Sequence, residues 1–327
     1  MQDPDTQPDT QPDTRPTAHL GAKRASAFAL KLLVSGSLLY FVFSRAGVGK
    51  VAEILSDIKP LWFAGAMGIF VIMMLMGSIR WGLLLPDHFS QRRLFPLYMI
   101  GAFFNIFLPG LVGGDVVKVY YLYRETRKGA QALASVFMDR YLGYAGLMML
   151  GALAYPFGFR AFSGTWITPV LPGIIAAFII TSLVIFLARP GGRFKSVSKL
   201  HDHLHSYLRN RRAITRALGI SLAIHILSST SVWCIASGLG VDIPLPTLFV
   251  FVPVIATLAA LPISISGLGI REAAFVLLFA TQGISSELAT AISFGWFLAI
   301  AIGGLPGLVF YMREKGATPG KTSIKPL

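Results

Sequence analysis

The stretches NIFLPGLVGGDVVK (105–118) and PISISGLGIRE (262–272) each break an apolar run with proline, glycine and charge. Pro109, Gly114 and Lys118 recur in spacing as Pro262, Gly267 and Arg271. A carboxylate stands beside each, Asp115 in the first and Glu272 in the second. Charge next to an interrupted, membrane-length apolar segment is costly unless it lines a cavity, so such residues are functional by default. Broken helices at matching positions of two halves point to a transporter's substrate site.

Working outward, the rest of the chain is as apolar as these stretches require. Of 327 residues, 54% are hydrophobic and only 13% charged, with mean hydropathy +0.65, against roughly a quarter charged in soluble domains. Several runs reach the ~20 apolar residues that cross a bilayer. The net charge of +14 does not indicate nucleic acid, because the basic residues gather between apolar spans and no segment is long enough for a nucleic-acid-binding domain. They orient the chain and attract anionic headgroups. Cys234, the single cysteine, excludes an intramolecular disulfide and reads as a small buried hydrophobe.

Full spans are expected at about 25–43, 60–80, 130–155, 167–188, 214–237 and 288–311. The run at 96–112 is short, and 248–281 is split at Pro262 to Gly269. Charge selects among topologies. If both broken regions enter and leave on one side, the cytoplasmic segments hold 22 Lys and Arg, eight of them in 189–216 and three in 80–95. The opposite face then holds Arg45, Lys50, Lys59 and Arg160. A single crossing at 96–112 would put the eight-charge loop outside, against the positive-inside rule.

The expected fold is therefore an all-α polytopic membrane protein. It has six full transmembrane helices plus two re-entrant broken-helix hairpins in inverted-topology repeats, about 60–155 and 214–311. Both termini are expected in the cytoplasm, with the chain in the cell (inner or plasma) membrane. Residues 1–24, rich in Pro, Asp, Thr and Gln, read as a disordered cytoplasmic tail; 25–312 form the membrane domain, and 313–327 a basic cytoplasmic tail.

The candidate substrate-binding residues are Asn105, Gly114, Asp115, Lys118, Asp139, Arg140, Ser264, Ser266, Gly267, Arg271 and Glu272. A helix beginning near Asp115 would aim free N–H groups into the membrane gap, where a phosphate binds. The competing role for Asp115 is a helix cap. Serines donate to phosphate, and Arg grips it bidentately. Helix neighbours do not face one another, so Arg271 and Glu272 should find separate partners, as should Asp139 and Arg140. Arg140 with Glu272, or Asp139 with Arg271, would join the repeats; the competing reading is a purely architectural salt-bridge network.

Weaker features carry less. His201, His203 and His205 alternate in a basic loop, where a solvated face is the simpler reading than a metal site. His225, within an apolar span, reads as a packed, hydrogen-bonded histidine. No ATP-binding motif, cofactor site or Ser-His-Asp set stands out.

These motifs resemble the flippase-like transmembrane domain of lysylphosphatidylglycerol synthases and their stand-alone relatives. The likeness rests on Asn105-x3-Pro109-x3-Gly113-Gly114-Asp115-x2-Lys118, on Asp139-Arg140, and on Pro262-x-Ser264-x2-Gly267-x-Gly269-x-Arg271-Glu272, and covers about 25–312. Two positions depart from it: the family usually has Arg where Lys118 stands and Glu where Asp139 stands. Lys118 keeps the charge and loses the planar fork.

The synthases carry a soluble aminoacyltransferase domain after the membrane region, while this sequence ends about sixteen residues past Tyr311. The resemblance thus implies lipid movement without lipid synthesis. Stand-alone relatives are linked to phospholipids, polyprenyl-linked sugars and hopanoids. The expected function is a lipid flippase or transporter, not an enzyme, moving a phospholipid or lipid-linked headgroup through a polar cavity between the two hairpins. Its partners would be membrane lipids, with a lipid-synthesis protein or further copies of the chain as protein partners. The alternative is an intramembrane lipid-modifying enzyme, or an accessory or scaffold subunit of a lipid or lipid-linked glycan pathway.

Overall fold

The computed structural model describes residues 33, 35–42, 44, 46–85, 89–107, 113–165, 167–187, 204–207, 209–261 and 267–316. Among them the chain is helical throughout its regular structure. Besides helical residues at 35–42 and 204–207, the helices in order are α1 (Val48–Ser56), α2 (Pro60–Leu83), α3 (Gln91–Phe107), α4 (Gly113–Thr126), α5 (Gly129–Phe162), α6 (Ile167–Leu187), α7 (Arg211–Gly238), α8 (Leu245–Ala259), α9 (Ile270–Ala280), α10 (Ser286–Gly304) and α11 (Pro306–Gly316).

Five segments are long and apolar enough to cross a membrane: Pro60–Leu83, Gly129–Phe159, Thr168–Leu187, Arg211–Gly238 and Ser286–Glu314. They coincide with five of the six expected spans. The sixth, at 25–43, lies largely outside the described residues, which are helical at 35–42. Starts are set locally. Pro60 opens α2 at a position where its missing N–H is no loss. The side chain of Asn210 accepts from Ala213 N–H at 3.2 Å to cap α7, and Ser285 Oγ accepts from Leu288 N–H to cap α10.

Both interrupted regions become pairs of short helices. At ~1.5 Å per residue, α3, α4, α8 and α9 are each shorter than the ~30 Å hydrocarbon core. α3 packs on α4, and α8 on α9.

The packing repeats itself. If α2, α3, α4 and α5 are matched to α7, α8, α9 and the α10–α11 pair, the contacts α2–α3, α3–α4, α4–α5, α2–α10 and α5–α8 have counterparts. These are α7–α8, α8–α9, α9–α10, α5–α7 and α3 with α10–α11. At the centre of this arrangement the two matched long helices, α2 and α7, make the most extensive contact in the bundle.

Two apolar clusters hold the halves. Trp81, Leu94, Leu97, Ile100 and Leu122 fill the space among α2, α3 and α4. Phe251, Phe275 and Phe279 anchor the larger cluster around α8 and α9, with Phe275 and Phe279 rings 5.1 Å apart. Cys234 is buried there, as expected. By contrast Ile179, Ile180, Leu183, Val184 and Leu187 of α6 stay exposed, as a lipid-facing helix requires. Outside the apolar region, Arg93 donates to Glu314 through both Nη groups at 2.6 and 2.7 Å and to Glu125 through Nε at 2.6 Å, tying α3, α4 and α11 together.

Candidate functional site

α5 carries Asp139 and Arg140 side by side, and the ~100° between successive helical residues sends them to different neighbours. Asp139, 1% exposed, accepts from Arg80 Nε at 2.8 Å and lies 3.4 Å from Lys118 Nζ. Arg140 donates through Nε to Asp115 Oδ2 at 2.7 Å. Their separate partners are as the helix geometry predicted. The expected cross-repeat pairs, Arg140–Glu272 and Asp139–Arg271, do not form, because both groups of α5 find nearer opposite charges on α2 and α4.

Arg80 is the largest correction. The charge tally placed it with the loop 80–95, yet it is 5% exposed inside the bundle. Its Nη1 donates to Ser221 Oγ at 2.9 Å and Nη2 reaches Tyr98 OH at 3.4 Å, so every nitrogen of its fork is engaged. The signal was present: Trp81, Gly82, Leu83, Leu84 and Leu85 prolong the apolar run beyond it.

Lys118 is equally enclosed. Its Nζ lies 4.6 Å from the Tyr98 ring centre and 5.5 Å from that of Trp81, over faces that attract cations. Asp115 Oδ1 stands 3.3 Å away, near enough for ion pairing but not aligned for a hydrogen bond.

The first motif also has an architectural part. Asn105 Oδ1 accepts from Gly114 N–H at 2.9 Å. One of the N–H groups expected to await a phosphate at the start of α4 is therefore taken by a side chain of α3. Gly114 is required by close approach: a Cβ there would overlap the Gly101 carbonyl.

The second motif is closed on itself. Glu272 is wholly buried, accepts from Gly269 N–H at 2.7 Å and lies 3.4 Å from Ser293 Oγ. Gly269 has φ +84°, a conformation that L side chains rarely adopt, and a Cβ there would press on Leu38. Arg271 donates to Glu272 through Nε at 3.0 Å and through Nη2, with its guanidinium 4.6 Å from the Phe297 ring centre. The expectation of separate partners fails here because Arg is long enough to fold back at the first helical turn. Ser264, Ser266, Pro262 and Pro109 lie outside the described residues.

The repeated Pro-Gly-basic spacing does not mark equivalent helix positions. Lys118 is the sixth residue of α4, whereas Arg271 is the second of α9. The matching residues are the carboxylates: Asp115 and Glu272 are each third in their helix, and each meets the following long helix, at Arg140 and Ser293 respectively.

A cavity of about 350 Å³ opens beside the first cluster. Small-ligand sites span roughly 300–1,000 Å³. Of the sequence candidates, Asn105, Lys118 and Arg140 line it; Gly267, Arg271 and Glu272 do not. Sequence reasoning missed Arg80, Tyr98 and Tyr144 on its wall and read His225, also there, as a packed histidine sooner than as a proton carrier. His225 Nε2 is 2.9 Å from the Gly143 carbonyl, so it is hydrogen-bonded as expected. The apolar part of the wall includes Phe70, Met73, Met74 and Leu147. His205 Nε2 lies 3.0 Å from the Phe186 carbonyl; His201 and His203 are outside the described residues.

The family pattern of the lysylphosphatidylglycerol synthase transmembrane region matches residues 28–307. The chain belongs to this family. It is similar to two proteins of Methanothermobacter thermautotrophicus strain Delta H, both described as UPF0104 membrane proteins. One is 24% identical over 321 residues, covering 82% of this chain and 92% of the relative. The other is 22% identical over 332 residues, covering 87% and 93%. With five membrane-length helices, this family member is a multi-pass membrane protein.

Proposed function

We propose that the chain moves lipids across the bilayer by admitting a phosphate-bearing headgroup to the cavity beside Arg140 while the acyl chains remain in lipid. The family takes its name from the membrane region of enzymes whose product is a phospholipid, which sets its members beside lipid chemistry.

One observation carries the reading. Arg140 commits only its Nε–H to protein, and its two Nη groups have no partner among the described residues. The side chain is 42% exposed on the cavity wall, whereas Arg80 and Lys118 are 6% and 4% exposed. An Arg with its outer edge free is built for bidentate phosphate binding. Arg80, Lys118 and Arg140 face two carboxylates, Asp115 and Asp139, so the cluster keeps one excess positive charge for an anion.

Transport rather than catalysis fits the state of the carboxylates, since both are held by cations. The short pairs α3–α4 and α8–α9 and the repeated packing support six crossings, two re-entrant hairpins and inverted repeats, with cytoplasmic termini following from the charge asymmetry. The second motif then serves as a fixed pivot opposite the substrate cavity.

Reconstituted protein tests this with tail-labelled phospholipids and dithionite quenching. Arg140→Gln, which keeps the Nε-side contact to Asp115, should slow translocation ~10-fold or more, the worth of a charged hydrogen-bond pair. Equal quenching in protein-free, wild-type and variant vesicles would remove the proposal.

A further inference from the structure

The cavity wall holds a second polar group that the anion site leaves unused. His225 sits on α7, one helical turn after Ser221, and faces α5 at Gly143. A carbonyl only accepts, so the short contact to Gly143 fixes the proton on Nε2. In the neutral ring Nδ1 is then a hydrogen-bond acceptor. It has no partner among the described residues, and it is not walled in: there the buried unpartnered side-chain N and O atoms are Asp115 Oδ1 and Ser229 Oγ. The open space that His225 borders is the cavity shared with Arg140.

The other polar groups on this wall are chiefly donors. Arg80 and Lys118 have donors only, and so has Arg140. The Asn105 oxygen is occupied by Gly114 N–H. The Tyr98 hydroxyl is taken up by Arg80 and Asp139, and that of Tyr144 both donates and accepts, so Nδ1 of His225 is a free acceptor that cannot also donate.

We infer that His225 selects headgroups that carry an N–H or O–H donor beyond their phosphate, and discriminates against fully substituted ones such as choline. This rests on the headgroup reading above and deepens it. Arg140 holds the phosphate; His225 accepts from the ammonium or hydroxyl of its alcohol.

Phosphatidylethanolamine and phosphatidylcholine have the same net charge and differ in donors, and N,N-dimethylphosphatidylethanolamine keeps one N–H at nearly choline bulk. Binding of each to the purified full-length chain in detergent is measured by native mass spectrometry, with glycerol phosphate as the water-soluble arm. Wild type should bind the ethanolamine and dimethyl lipids about three- to tenfold more tightly than the choline lipid, the span of one hydrogen bond. His225→Leu removes the cavity acceptor together with the donor to Gly143, so it should bind all three alike. His225→Asn sets its amide oxygen near the place of Nδ1 and should retain part of the preference, which a merely structural role would not predict.

Equal binding of the choline and dimethyl lipids by wild type overturns the inference even if neither variant folds, as does a preference unchanged in His225→Leu. Glycerol phosphate binding as tightly as the lipids would assign the site to a soluble phosphate ester. Donor preference without translocation in vesicles would sink the transport reading and leave the role of His225 standing. Translocation without preference would do the reverse.

Discussion

Arg80 donates through Nε to Asp139 Oδ1 at 2.8 Å, joining α2 to α5 inside the bundle. Neither side chain is more than 6% exposed, so each is the other's main compensation for leaving water. Around this pair, Lys118 and Arg140 occupy their places.

Removing one partner should therefore cost far more than removing both. Arg80→Met leaves Asp139 with the longer contacts to Lys118 and the Tyr98 hydroxyl, each at 3.4 Å, and a loss of ~3 kcal/mol is expected. Arg80→Met with Asp139→Leu should regain most of it. Thermal unfolding in detergent reads both, and a single variant as stable as wild type would show that the pair is dispensable.

Gly114→Ala should separate α3 from α4, because its Cβ meets the rigid Gly101 carbonyl. Overpacking of this kind costs ~1–3 kcal/mol. Gly101→Ala meets the flexible Lys118 stem at 3.0 Å and the Gly114 carbonyl at 3.2 Å, and should be the milder change. The reverse order of unfolding midpoints would contradict the described helix contact.

Asn105→Ala removes the cap on α4 and should cost ~1 kcal/mol. Asn105→Asp retains an acceptor and adds a charge suited to a helix N-terminus, so it should keep the cap. Hydrogen exchange at residues 113–118 checks this directly: faster exchange in the Ala variant and near-normal exchange in the Asp variant are expected.

Glu272→Gln should act on stability rather than on headgroup choice. The change weakens the bonds to Gly269 N–H and Arg271, and leaves Arg271 as an unbalanced buried charge. A loss of ~3 kcal/mol follows from that imbalance. Per folded molecule, relative rates for different phospholipids should match wild type. A changed headgroup preference would bring the second motif into the substrate site.

Much of this architecture was legible in the chain. Five spans follow from apolar runs of membrane length, and both interruptions follow from Pro and Gly. The register of the motifs was not legible, because spacing along the chain counts loop and helix residues alike. That is how Lys118 and Arg271 share a spacing yet sit four residues apart in their helices. Arg80 was misplaced because a charge at the end of an apolar window looks like a loop residue until the run beyond it is counted. Ion-pair partners were beyond reach, since opposite charge says nothing of which helices meet. The cavity role of Tyr98 and His225 was hidden for the same reason: a lone polar residue in an apolar helix shows its neighbours only when the bundle is assembled.

The most direct test of the account is to locate a lipid headgroup in the protein. A phospholipid with a photoactivatable headgroup, cross-linked to the reconstituted chain and mapped by peptide mass spectrometry, gives that position. The account predicts adducts within 98–106, 140–147 and 224–225, depleted in Arg140→Gln and competed away by unlabelled phospholipid. Adducts confined to the lipid-facing side of α6, around 179–187, with none on the cavity wall, would contradict it.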